Sequence, residues 1–218
     1  MRGLIYKDIQ IMKNNLGVLL AGFGMAGLLL VLTDADVSFI VSYFTFFSMM
    51  MALNTLGYDD MNHGMQSILS LPVTRSDYAK EKYVFTIAFG GGSWLLAVAI
   101  GAVYEIVRGE AVGSSYLFTS VMGALAMCSL AVLMIPVQLY FGAEKARVAI
   151  FAVVMGIVLA GYGADYVLKS FDIEAVSMLD RLMELHPAAV LGIGAVGMAV
   201  FLLISMSISI MIVKKKEY

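Results

Sequence analysis

The sequence predicts an all-α polytopic membrane protein with six transmembrane helices, on three observations. Of its 218 residues 61% are hydrophobic and only 14% charged, where a soluble domain carries about a quarter charged residues; mean hydropathy is +0.91. Apolar runs near the roughly 20 residues that cross a bilayer core recur at 16–32, 37–56, 83–104, 116–141, 148–168 and 188–213. These runs are continuous rather than alternating, which favours helices over a barrel. The chain therefore reads as one transmembrane domain over 1–218.

Charge sets the orientation. With six spans both termini share one side, and that side holds Arg2, Lys7, Lys13, Arg75, Lys80, Lys82, Lys145, Arg147 and Lys214 to Lys216. The other side holds Arg108, Lys169 and Arg181. Basic loops stay inside, so the expectation is a multi-pass protein of the cell (plasma) membrane with both termini cytoplasmic. A net charge of -2 argues against nucleic acid as a partner. The single cysteine, Cys128, lies in an apolar run and reads as a small buried hydrophobe.

In chain order, residues 1–15 lack a cleavable signal pattern. Ile5, Ile9, Met12 and Leu16 recur on one helical face while Arg2, Lys7, Asp8 and Lys13 fall mostly elsewhere, which predicts an interfacial amphipathic helix. The first span is short. Its small-xxx-small pairs Gly17/Ala21 and Gly22/Ala26 mark a close helix contact, within the chain or between chains. The third span carries Gly90-Gly91-Gly92-Ser93. A serine nucleophile needs a base within reach, and both histidines, His63 and His186, lie outside the spans, so this reads as a packing seam rather than an intramembrane protease. Pro136 predicts a kink in the fourth span, tolerated where a neighbour satisfies the freed carbonyl.

Two polar segments remain. At 169–187, Ile173, Val176, Leu179, Leu182 and Met183 share one side, predicting a short external amphipathic helix: a cap on a pathway or an ordinary connector. The longest polar interruption, 57–82, is cytoplasmic by topology. Asp59 and Asp60 can accept hydrogen bonds from a partner or cap the following helix. Ile68, Leu69 and Leu71 supply an apolar patch, and Pro72 ends a helix. No acidic or basic side chain falls in the middle of a span, where a coupled carrier usually needs one. No Gly-x-x-x-x-Gly-Lys-Ser/Thr phosphate loop occurs, and no Cys/His/carboxylate set has metal-ligand spacing. The chain is expected to be no enzyme itself, and to be either passive or driven by a partner.

Residues Tyr58-Asp59-Asp60-x-Asn62, then Ser70-Leu71-Pro72-Val73-Thr74-Arg75, then Lys82-Tyr83, with the opening Arg2-Gly3-Leu4-Ile5-Tyr6-Lys7-Asp8, resemble the permease subunits of type-2 ABC exporters, notably a small bacterial six-helix subgroup. The likeness covers the whole chain in topology and only these segments in motif; Gly64 departs from the bulkier residue of relatives. The resemblance implies that 57–82 forms a cytoplasmic coupling helix between the second and third spans. It further implies that Tyr58, Asp59, Asp60, Asn62, Ile68, Leu69, Leu71, Pro72 and Arg75 dock on a separate ABC ATP-binding subunit. It makes Lys7, Asp8, Ile9 and Met12 the interfacial helix that holds the assembly, and Val176, Leu179 and Met183 an external gate. It implies a second permease chain, as homodimer or heterodimer, within the lipid bilayer. No cofactor is expected in this chain, Mg-ATP residing on the partner. The expected function is ATP-driven export of a hydrophobic or amphipathic substrate, whether peptide, lipid or drug. An ion- or proton-coupled carrier and a non-transporting scaffold are the alternatives.

Overall fold

The computed structural model describes residues 2–32, 36–60, 74–109, 113–142 and 187–215, with a few positions between 145 and 159. Among them all regular structure is helical: α1 (Arg2–Asn14), α2 (Leu16–Leu32), α3 (Val37–Asp60), α4 (Arg75–Arg108), α5 (Ser114–Phe141) and α6 (Pro187–Lys215). The last four are each long and apolar enough to cross a membrane, and α1 with α2 adds a fifth crossing if that bent pair counts as one span. The expected span at 148–168 and the expected external helix at 169–187 lie almost wholly outside the described residues.

The bend of 63° between α1 and α2 falls at Asn15. Its side-chain amide donates to the Ile11 carbonyl at 2.9 Å, and its own carbonyl accepts from the amides of Val18 and Leu19. One residue therefore closes one helix and opens the next. At 17 residues, α2 is about 26 Å long, short of a hydrocarbon core of about 30 Å.

α3 is the axis of the bundle. It packs along α4 and α5, α6 closes against α5 and α4, and α2 and α1 lie on α3. Small residues allow the close approaches. Gly22 and Ala26 are buried, with Gly22 beneath the Phe47 ring, whereas Gly17 and Ala21 face outward. The Gly22/Ala26 pair thus serves contact with α3, and the Gly17/Ala21 pair lies on the outer face of α2. Where α5 crosses α3, Gly123 stands against Ser42, leaving no room for a Cβ. The Ser93 hydroxyl donates to the Gly90 carbonyl of its own helix at 2.8 Å.

α5 contains Pro136, which has no amide hydrogen and strands the carbonyl of Val132 one turn earlier. Ser205 of α6 donates its hydroxyl to that carbonyl at 2.8 Å. With its one proton committed there, Ser205 must accept from the Tyr83 hydroxyl at 2.7 Å, which in turn accepts from Ser209 at 2.7 Å. Three helices are stitched by one ordered chain of buried hydroxyls. Ser205→Ala would leave both Val132 and Tyr83 short of a partner and should cost about 1–2 kcal/mol, measurable by thermal unfolding in detergent. A loss no larger than that of the exposed control Ser207→Ala would show that the chain of hydroxyls does not matter.

α4 is 34 residues long, about 51 Å, well beyond the hydrocarbon thickness. Its apolar run begins at Tyr83, and the polar turns from Arg75 to Lys82 are in excess of the length a crossing needs. That overhang carries the candidate site.

Candidate functional site

Helix starts and spacing put the charges together. Thr74 caps α4, accepting from the amide of Asp77 at 3.1 Å while its hydroxyl donates to the Asp77 carboxylate at 2.7 Å, a reciprocal cap of the capping-box kind. The Thr74 hydrogen bond holds the Asp77 carboxyl below its ordinary value. With α4 started there, Tyr78 and Lys82 lie one turn apart on its inner face. α3 likewise continues through Asp60, aligning Thr55 with Asp59, and α1 aligns Leu4, Asp8 and Met12. Three inner faces converge.

Lys82 is the centre. Its Nζ lies 2.5 Å from Asp8 Oδ2, 2.8 Å from Asp59 Oδ2 and 3.2 Å from Thr55 Oγ1. Lys7 Nζ bonds Asp59 Oδ1 and lies 3.3 Å from Asp8 Oδ1. Tyr78 donates its hydroxyl to Asp59 Oδ2 at 3.1 Å, and its ring lies 5.4 Å from the Lys82 ammonium, close enough for a cation–π contribution. Asp8 is 0% exposed and Lys82 1%. Charges this deep persist only when paired and hydrogen-bonded. Glu81, beside them and 1% exposed, has no hydrogen-bond partner on either oxygen among the described residues, and Lys82 Nζ lies 3.8 Å away. Beneath the ions lies an apolar floor including Leu4, Leu53, Leu56, Tyr78 and Tyr83.

This geometry revises several sequence expectations. Asp8, expected off the apolar face of an interfacial helix, is buried against Lys82, while Ile9 is 41% exposed. Met12 is buried against Met51, Ala52 and Phe85 of this chain. The inner face of α1 is set by the counter-charge waiting on α4 rather than by its aliphatic residues alone. Asp59, expected at a partner's surface, is 4% exposed, and its carboxylate is taken by Lys7, Lys82 and Tyr78 of this chain.

Tyr58 and Asp60 are exposed on the last turn of α3, with the Tyr58 hydroxyl 3.4 Å from Asn15. Arg75 reaches α6, donating to the Lys214 carbonyl at 3.1 Å. Asn62, Ile68, Leu69, Leu71 and Pro72 lie outside the described residues, as do Val176, Leu179 and Met183.

Sequence reasoning passed over Thr55, Tyr78 and Glu81, and treated Lys82 as a loop end. The available signal was the i, i+4 spacing of Thr55 with Asp59 and of Tyr78 with Lys82 on the two helices that flank one loop. Among the described residues no group of His, Cys, Asp or Glu is placed to hold a metal ion. The two ammonium groups already occupy the space between the carboxylates. The site is an ion lock joining three helices.

The fold and this lock define a multi-pass helical membrane protein whose amino-terminal helix is tied by buried charge to both helices that flank one loop. The chain matches the family model described as ABC-2 family transporter protein over residues 3–214 and belongs to that family, the membrane permease components of ABC-2 type transporters. Such membrane proteins work with ATP-binding subunits. No curated protein matches the chain, and no solved structure does.

Proposed function

We propose that this chain is the permease subunit of an ATP-driven exporter, docked through the loop between α3 and α4 to separate ATP-binding subunits. The observation that carries this reading is the family match across residues 3–214. The absence of a phosphate loop from the full sequence supports placing Mg-ATP and its hydrolysis on the partner. Two permease chains would pair in the plasma membrane, with both termini and the docking loop in the cytoplasm, following the bias of basic residues. The cargo would be hydrophobic or amphipathic, a peptide, lipid or drug, because the spans offer apolar, Met-rich and aromatic surface without mid-span charge.

The ion lock supports a mechanism for coupling. A force applied to the loop by ATPase closure enters at its two ends, Asp60 of α3 and Thr74 before α4. α3 is tied to α1 at its last turn through Asp59, and α4 about two turns in through Lys82. The three helices would therefore move as a unit rather than fray at the loop. Packed and ion-paired elements with discrete arrangements are what transmit small displacements over distance.

The test is reconstitution with the co-purified ATP-binding subunit and measurement of permease-dependent ATPase activity. Leu69→Asp places a charge in the apolar patch of the loop and is expected to abolish that stimulation while insertion stays unchanged. Unaltered stimulation would remove the docking claim. Failure of any ATP-binding subunit to co-purify from the native membrane, or transport driven by an ion gradient alone, would overturn the exporter reading.

A further inference from the structure

Glu81 is the one member of the cluster that the ion lock does not use. An ammonium carries three hydrogens, and those of Lys82 are spoken for by Asp8 Oδ2, Asp59 Oδ2 and Thr55 Oγ1. Lys7 faces the other oxygens of the same two aspartates. Two cations thus balance two anions. Glu81 sits at 3.8 Å from Lys82 with no donor to either oxygen among the described residues, and its side chain is 0% exposed. A third buried carboxylate would be an uncompensated charge, whereas a protonated carboxyl is neutral there.

We infer that Glu81 is a proton-binding site created by the meeting of α1, α3 and α4, taking up one proton when the three helices close and releasing it when they part. The groups that face it are Lys7 and Asp8 from α1, Asp59 from α3, and its helix neighbour Lys82. Burial is the largest influence and pushes the carboxyl up to about 7; Lys82 and Lys7 oppose it, and Asp8 and Asp59 add to it. Near pH 7 the closed cluster therefore holds this proton on the order of a hundredfold more tightly than an ordinary glutamate does. Because closure binds the proton, closure weakens as pH rises from the ordinary value of 4.5 to about 7 and is flat above that. The assignment does not depend on what the chain transports or on which subunit drives it.

The experiment is thermal unfolding of the full-length protein in lipid nanodiscs across that pH range and above, for the native chain and Glu81→Gln. The amide keeps the shape and cannot ionise. The stability advantage of the native chain over the variant should fall as pH rises towards 7 and stay constant beyond it. A difference that does not change with pH would overturn the assignment. Should Glu81→Gln fail to fold, infrared spectra of the native protein carrying carbon-13 glutamate carboxyls decide the matter. A neutral glutamate carbonyl band at about pH 6 that disappears by about pH 9 supports the site, and fully ionised glutamates at about pH 6 overturn it.

Discussion

Lys82→Met is expected to destabilise the protein by about 3–5 kcal/mol, the cost of leaving buried carboxylates without their cation. Methionine fills similar space, so the loss is one of charge rather than volume. Asp8 and Asp59 would both lose a partner that lies within 2.8 Å, and Lys7, half-exposed at the rim, reaches only their other oxygens. Unfolding by denaturant or heat in detergent measures the effect. The double variant Lys82→Met with Asp8→Asn should recover part of it, since contacting charges are not additive. A loss of less than about 1 kcal/mol for Lys82→Met would mean that the cluster is solvated in practice and holds little together.

Adjacent aspartates should separate the structural from the docking role. Asp59→Ala removes the acceptor of Lys7, Lys82 and Tyr78 and is expected to cost about 3 kcal/mol, near the lower end for breaking a buried pair because Asp8 still faces Lys82. Asp60→Ala, one residue on and exposed, should cost clearly less stability than Asp59→Ala because it strands no buried ammonium, while lowering permease-dependent ATPase activity. Thermal unfolding and ATPase stimulation measured on the same two preparations give the comparison. If Asp60→Ala destabilised as strongly as Asp59→Ala, or left stimulation intact, the exposed aspartate would have no special part in docking.

Local sequence properties made much of this legible. Continuous apolar runs announced helices at 37–56, 83–104, 116–141 and 188–213, and α3, α4, α5 and α6 contain those runs. The ends were less legible. α3 continues through Asp60 and α4 begins at Arg75, because helices extend past the apolar run when a cap such as Thr74 and buried partners for their polar residues are present. Hydropathy registers neither. Pro136 declared that a carbonyl would be stranded, but that Ser205 answers it depended on how α6 lies against α5.

The ion lock was the least legible feature. Lys82 and Asp8 are 74 residues apart, and each alone looks like a charge at the edge of a span, which the bias of basic residues towards the cytoplasm explains without any partner. Helical periodicity placed Asp8 away from the aliphatic face of α1, and so towards water, because periodicity scores each residue by its own solvation. A carboxylate beside an ammonium is solvated by that partner instead. By itself the sequence determined the membrane class, the helical form and the place of the polar loop, all of which follow from the cost of exposing backbone and charge to hydrocarbon. Only the tertiary structure decided which charges are buried, because pairing within 4 Å is a property of helices brought together and not of any one of them.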